Sequence, residues 1–530
     1  MIACVNTANL LLARASGRSR EMALRAALGA DRGRIVRQLL TESVLLALAG
    51  AVAGGALAYW AVPLLLALTP PALRLYREVE LDATVLAATL SLAVVTGVLF
   101  GLAPALSLAR VNLVDAFKDD GTRTVGSGRA SLMRRGLVIA EVALCMTLLV
   151  GAGLLIRTFA NMRAVDPGFD PAGVITARMS LQGDRYAAPD AYLRLFAQGL
   201  DRLRQIPGVR SADVVNGVPI ERGLNLNADL LDVREADGRL RFENALVDWR
   251  YASTGYFTTM GIPIVAGRGF EPRDSGGAPP VAVVNEEFAR RFFSGASALG
   301  QRLRVFDSDG AIEIVGVAKD VREQGLTTAL PALMYVPVEQ ANPAGVRAAH
   351  TYFQMNWVVR SAGNTAVVAR EMREALRAVD PQLPISTFRT MGEVKAGAVA
   401  YQQFQMVLLT AFASVGLLLA AAGVYGVVAS AAAQRTREFG IRLALGASRA
   451  SILRSVLAHG VGLSLVGIAV GTGAAVVAVR TLQSAVWGIS TLDPATFGLV
   501  AAVLLVVALL ASLLPALRAF RVSPLTSLRQ

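Results

Sequence analysis

Six apolar runs along the chain are each long enough to cross a bilayer, which takes roughly 20 residues of helix. They lie at about Val44–Leu66, Thr84–Leu108, Leu137–Ile156, Phe404–Ala429, Val456–Val479 and Phe497–Leu517. A seventh, Met1–Ala13, is too short and runs straight into Arg14, Arg18 and Arg20, the reverse of a signal peptide's order. It reads as the cytoplasmic half of a helix, and the native gene is expected to extend upstream of Met1. Between about 160 and 400 the period changes. "GVITARMSLQG" reads as a strand, Leu193, Phe196, Leu200 and Leu203 share a helical face over 190–206, and a strand follows at 210–218. Later "TYFQMNWVV" is a strand and Val368, Met372, Leu376 and Val379 line a second helix before another strand. Between these β-α-β units lie a hairpin turn at Gly267–Gly269, a strand Val281–Val284 leading into Asn285 as a helix cap, and the strand "IEIVGVA" at 312–318. The pattern predicts an α-helical polytopic membrane protein of six full transmembrane helices and a partial one. Its inserted α+β domain has two lobes, one set into the other.

Part of the chain is written twice. "REMALRAALGA" (20–30) returns as "REFGIRLALGA" (437–447). At this offset of 417, Arg20, Glu21, Arg25, Leu28, Gly29, Ala30, Arg32, Ile35 and Arg37 meet Arg437, Glu438, Arg442, Leu445, Gly446, Ala447, Arg449, Ile452 and Arg454. Gly50 and Gly54 fall on Gly467 and Gly471, a small-xxx-small spacing that lets helices pack closely. "PALSLARV" (104–111) answers "PALRAFRV" (515–522) at an offset of 411. Each copy therefore reads span, basic segment, span, outer loop, span, basic exit: a duplication.

Composition agrees with a membrane protein carrying soluble mass: of 530 residues 54% are apolar and 17% charged, and the mean hydropathy is +0.50. The net charge of +13 is nearly all Arg, since the lysines are Lys118, Lys319 and Lys395 alone. Arginines crowd segments 14–37, 110–135 and 435–454, whereas loop 480–496 holds only Arg480. Placing the three basic segments in the cytoplasm lets every span cross once and puts residues of about 160–400 outside. The basic excess is then topology; the partner it implies is the lipid bilayer, with no nucleic acid. The expected location is the cytoplasmic (inner) membrane, multi-pass.

Catalytic patterns are missing from the sequence. Cys4 and Cys145 sit in apolar runs and His350 and His459 are the only histidines, which leaves no Cys/His metal set. No lysine follows a glycine, so there is no phosphate-binding loop. The pairs Glu286/Glu287 and Asp119/Asp120 read as solvated surface. Glu141 is the one carboxylate within a span, within reach of Arg134 and Arg135; a structural pair is expected, with a functional intramembrane acid as the alternative.

The repeated segment is amphipathic, basic and cytoplasmic, with a Gly near its middle. Positive-inside anchoring needs only Arg and leaves the shared Glu and Leu-Gly-Ala unexplained, so the two copies look like two surfaces docking onto a symmetric partner. "REFGIRLALGASRASILR" and "PALRAFRVSPLTSLR" resemble the signature and C-terminal exit of the FtsX-like permeases of MacB-type ABC transporters. "MGIPIVAGRGF", "VAVVNEEFARRFF" and "IEIVGVAKDV" are similar to that family's extracytoplasmic domain. Duplication without a fused ATPase resembles the family's duplicated orphan permeases, and an N-terminal truncation is expected for this chain.

The resemblance implies a domain plan. Residues 1–109 would be the C-terminal part of a first permease half, 110–136 a cytoplasmic linker, and 137–160 the first span and stalk of the second half. Residues 161–399 would be the extracytoplasmic domain, with a porter-like lobe (about 170–218 and 351–390) and an inserted lobe (about 220–345), and 400–530 the second permease domain. It also implies a mechanism in which an ABC ATPase dimer binds at the cytoplasmic face and the motion travels through stalk helices to the outer domain. Arg20, Glu21, Arg25, Gly29 and Arg32, with Arg437, Glu438, Arg442, Gly446 and Arg449, would form the coupling segments. Gly50, Gly54, Gly467 and Gly471 would pack helices. The chain itself would be no enzyme and carry no cofactor, ATP and Mg belonging to the ATPase; a membrane-fusion protein or outer-membrane protein is a further expected partner. Two readings remain open: an export permease, or a non-transporting mechanotransmission protein that regulates an extracytoplasmic enzyme or sensor.

Overall fold

The computed structural model describes residues 32–68, 82–109, 125–181, 183–186, 188–221, 224–233, 241–242, 245–293, 296–305, 310–341 and 354–520. The chain opens on helices α1 (Arg32–Leu68), α2 (Ala83–Ala109) and α3 (Val125–Ala164). An inserted α/β unit follows: β1 (Val174–Met179), α4 (Pro189–Arg204), β2 (Val209–Asn216), β3 (Leu224–Leu230), β4 (Ala245–Ala252), α5 (Tyr256–Met260), β5 (Ile264–Gly267) and β6 (Val281–Asn285). It continues through α6 (Glu286–Phe293), β7 (Arg302–Val305), β8 (Ile312–Ala318), β9 (Leu333–Pro337), β10 (Met355–Ser361), α7 (Thr365–Val379), β11 (Ile385–Thr390) and α8 (Met391–Ala398). Helices α9 (Ala400–Gln434), α10 (Thr436–Ala444), α11 (Arg449–Ala478) and α12 (Pro494–Phe520) close the chain. Two compact units result, one built of the helices and one of Met162–Ala400.

Among the described residues five helical stretches are long and apolar enough to cross a membrane: Val36–Ala67, Leu132–Ala164, Ala400–Gln434, Arg449–Leu482 and Pro494–Arg518. The remaining expected span, Thr84–Leu108, lies in α2, whose apolar described stretch is the shorter Ala83–Leu99. Met1–Ala13 lies outside the described residues. Helices α3, α9, α11 and α12 share one core, to which they contribute Val142, Met146 and Val150, then Val424 and Val428, then Ile452 and Ile468, then Leu504 and Ala516. Glycines set the spacing. A Cβ at Gly467 would lie 2.7 Å from Val142 Cβ, and one at Gly471 2.7 Å from Met146 Cβ and 2.8 Å from Ala143 Cα. Small residues thus bring the backbones of α11 and α3 together, where dispersion replaces the missing hydrophobic drive. In the first copy α2 packs on α1, and a Cβ at Gly97 would stand 2.9 Å from Ala47 Cβ.

In the inserted unit, β11, β1, β10 and β2 form an antiparallel sheet in that order. Alternate residues Ile175 and Met179, Ala212 and Val214, and Met355, Trp357 and Val359 face the same core as Phe196, Leu200 and Leu203 of α4 and Val368, Met372 and Leu376 of α7. Local signals start these helices: Pro189 stands at the head of α4, and the Asn364 side chain accepts the Ala366 amide at the N-cap of α7. The second lobe is a closed circuit of six strands, β4-β3-β7-β8-β6-β9, with β9 returning parallel to β4. Closure leaves the six strands of the circuit without a free edge. Asn285 does cap α6, its Oδ1 accepting the Phe288 amide at 3.0 Å.

The hairpin expected at Gly267–Gly269 is not formed; β5 pairs antiparallel with β8 instead. Both strands carry glycine where the backbones nearly touch. Gly267 has a φ of +67°, and a Cβ at Gly316 would collide with the Arg268 carbonyl.

The two lobes meet through one strand pair, Val215 with Ala252, reinforced by side chains. Asn216 Oδ1 accepts the Tyr251 amide, and the Arg250 guanidinium bonds the carbonyls of Asn216 (2.9 Å) and Glu221 (3.2 Å). Its Nε donates to Glu323 Oε2 at 3.0 Å, and both residues are buried. Where the chain enters and leaves the unit, Lys395 Nζ bonds the Val165 carbonyl at 3.1 Å.

Candidate functional site

Helix α9 ends at Gln434, and after Arg435 the chain turns into the short helix α10. Phe439 is buried in the helical core and Leu443 packs partly against it, which fixes the inner face of α10. The outer face holds Glu438 and Arg442, whose side chains pair at 2.5 Å across one turn, and two exposed apolar residues, Ile441 and Leu445. Leu445 is 82% exposed, the largest value among the exposed large hydrophobic residues described. The outer face of this short, aromatic-anchored helix therefore carries an ion pair and, along one flank of it, two exposed aliphatics.

Gly446 is not inside a helix, as a glycine in mid-segment would be, but stops one. Its φ is +89°, and a Cβ there would meet nothing within 4 Å, so the glycine answers a backbone angle rather than a close approach. The amide of Ala447 bonds the Arg442 carbonyl at 2.9 Å and the amide of Gly446 bonds the Leu443 carbonyl at 3.1 Å, the two bonds of a Schellman stop. Ser448 then caps α11, accepting the Ser451 amide, and Arg449 follows in the first turn, where the helix dipole disfavours a cation.

Arg437 lies in α10, and Arg32 opens α1. Arg20, Glu21, Arg25 and Gly29 lie outside the described residues. Gly467 and Gly471 face α3 as described above, whereas Gly50 and Gly54 have nothing within 4 Å of their Cβ positions. Sequence reasoning passed over Phe439 and Ile441; the signal was the 3.6-residue period within the segment, which sets Phe439 and Leu443 against Glu438, Ile441 and Arg442.

Comparison with known families matches both halves of this arrangement. The MacB-like periplasmic core domain profile matches residues 135–377, and the FtsX-like permease C-terminal profile matches twice, at 1–113 and 410–524. The chain belongs to the FtsX/MacB-type permeases. It is similar to YknZ, an ABC transporter permease of Bacillus subtilis (strain 168), with 27% identity over 219 residues, 41% of this chain and 54% of that protein. It is also similar to the macrolide export ATP-binding/permease protein MacB of Azoarcus sp. (strain BH72), with 24% identity over 356 residues, 66% of this chain and 50% of that protein. The chain spans about half the length of these relatives. The crystal structure of the periplasmic region of MacB from Actinobacillus actinomycetemcomitans covers 43% of this chain and 92% of its own at 15% identity, with a TM-score of 0.30.

In this multi-pass permease the expected pairing of Glu141 with Arg134 and Arg135 is not made among the described residues. Arg134 turns to Ser430 Oγ of α9 at 2.8 Å. Glu141 is fully buried two turns further along α3, both its oxygens lack a hydrogen-bond partner, and a Cβ at Gly423 of α9 would collide with Oε2. A buried carboxyl without a partner weakens the bundle. Glu141→Met is expected to stabilise the helical unit by about 1–3 kcal/mol, read as a raised midpoint in denaturant titration of the purified chain. A lowered midpoint would mean that the carboxyl is satisfied in the membrane.

Proposed function

We propose that this permease couples ATP hydrolysis by a separate ABC ATPase dimer, docked on its cytoplasmic face, to movement of its extracytoplasmic domain in export. The observation that carries the reading is α10: a helix fixed to the bundle by Phe439 that offers Ile441 and Leu445 bare beside the Glu438–Arg442 pair. Exposed aliphatics beside an ordered ion pair fit a groove that buries the first and bonds the second. The twofold repeat of the segment suits a dimeric ATPase, with Arg20, Glu21, Arg25, Gly29 and Arg32 serving the second groove as Arg437, Glu438, Arg442, Gly446 and Arg449 serve the first. Helices α3 and α9, which lead into and out of the inserted domain, act as the stalk, and the Lys395–Val165 bond ties the two chain crossings at its base. The chain contributes no catalysis of its own; ATP and Mg reside on the ATPase. Export is supported by the name of the relative in Azoarcus sp. (strain BH72), a macrolide export ATP-binding/permease protein.

The test uses the permease reconstituted with an ATPase from the same genome. Glu438→Ala/Arg442→Ala and Ile441→Ala/Leu445→Ala should each leave expression and insertion intact, since exposed substitutions cost within about 0.5 kcal/mol. Each should lower permease-stimulated ATP turnover by about tenfold, the effect of losing an interface anchor. Full stimulation in both double variants would sink the docking reading.

A further inference from the structure

We infer that Glu141 is a proton-binding site of the stalk, whose carboxyl keeps its proton while α3 and α9 are packed and releases it to water when the two helices part. The stalk role of α3 and α9 rests on the proposed function; the site itself rests on the helical core. Glu141 lies inside the apolar stretch Leu132–Ala164, roughly 14 Å along the helix from Leu132 at about 1.5 Å per residue. It is fully buried, and neither of its oxygens has a hydrogen-bond partner. Helix α9 makes room for it at Gly423, where a Cβ would collide with Oε2 and stand 2.9 Å from Cδ. The two backbones thus close around this one polar group, and their separation by the width of a water molecule would wet it.

Among the described residues, no charge from the packed helices compensates a carboxylate at this point. On α3, Arg134 donates to Ser430 Oγ two turns away, and Cys145, one turn on, is a buried free thiol. The titratable groups of α9 are Tyr401 and Tyr425, and the Tyr425 hydroxyl accepts from Arg518 of α12 at 2.9 Å. On α11, Arg449 and Arg454 stand in the first two turns, and His459 lies within electrostatic range of Arg135 and Arg435. The surface that α11 turns to α3 is glycine, Gly467 and Gly471. An ionised carboxylate without a partner costs far more in an apolar core than a neutral carboxyl, so packing and the proton go together. Parting of the helices admits water, which hydrates the carboxylate and takes the proton. Acid therefore favours the packed stalk and alkali the parted one. An apolar residue would hold the bundle better; an acid kept at a contact between two helices that must move serves that linkage.

The test is the infrared spectrum of the full chain in bilayers, with no ATPase present, taken as the difference between wild type and Glu141→Gln. Gln keeps the shape of the side chain and removes only the titrating group, and the difference cancels other buried carboxyls such as Asp213 and Glu323. Near neutral pH the wild type is expected to show the carbonyl band of a neutral carboxyl that the variant lacks. On transfer to heavy water that band should shift slowly, at the rate at which the helices part and the proton exchanges. Gly423→Ala, whose methyl displaces the carboxyl, should speed the shift about tenfold through overpacking of the contact. Absence of the band would overturn the proposal, since the group would then be a carboxylate. A band that never shifts would overturn it as well, and so would a shift no faster in Gly423→Ala. Should that variant fail to insert, the exchange of the wild type alone decides release. A permease that gives its ATPase no stimulation would remove the stalk role and leave this spectrum unchanged, so the two readings fail separately.

Discussion

Replacing Arg250 by Met is expected to destabilise the extracytoplasmic domain by about 3–5 kcal/mol, because it leaves a fully buried carboxylate without its counter-charge. Glu323 Oε2 takes two bonds from the Arg250 guanidinium, and Glu323 Oε1 has no partner at all. The same guanidinium satisfies the carbonyls of Asn216 and Glu221, so a single change leaves acceptors orphaned on both sides of the lobe junction. The double variant Arg250→Met/Glu323→Met should recover most of the loss, since an apolar pair of similar volume commonly replaces a buried ion pair at little cost. Urea denaturation, followed by protease sensitivity of residues 162–400, measures both. A double variant no better than the single one would show that the bonds to the two carbonyls, rather than the charge pair, hold the junction. In the proposed mechanism the junction matters because motion that enters through the lobe holding both chain crossings must also reach the inserted lobe.

Trp357→Ala should cost the same domain about 3–5 kcal/mol, the usual penalty for emptying a core of a large aromatic. Trp357 is fully buried on β10, the strand between β1 and β2, and its ring meets Phe196 edge-on at 6.0 Å between centroids. The indole lies over Gly199 of α4, where any Cβ would enter the ring, so helix and sheet are spaced for this one side chain. No neighbour rigid in strand or helix can move into the void. Trp357→Phe should cost clearly less, because the Nε1 proton has no partner to lose. The midpoint of thermal unfolding, compared among the wild type and the two variants, decides the point; equal losses for Phe and Ala would mean that the indole nitrogen is bonded after all.

Much of this protein is written in short-range patterns. The apolar runs became helices, each longer than its run because polar residues at the ends continue the helical geometry into Arg449–Leu482 or Leu132–Ala164. The faces of α4 and α7, the limits of β8 and the cap by Asn285 were legible because each depends on residues a few positions apart. So was the doubling of the permease segment, since a repeat is a property of the string itself.

Other features depend on groups that meet only after folding. Gly446 is spelled the same whether a helix bends, packs closely or ends; its left-handed φ and the two amide bonds beside it single out the last. β5 chose β8 over a hairpin, and β9 closed onto β4, through contacts between strands far apart in sequence, which periodicity does not encode. The charge partners were likewise chosen in space: Arg134 found Ser430 rather than Glu141, and Arg250 found Glu323 on a distant loop. Burial is the physical reason for the strand pairings and the charge partners. Desolvation makes a polar group's partner decisive, and which groups lose their water is settled by the packing of the whole chain rather than by its neighbours in sequence.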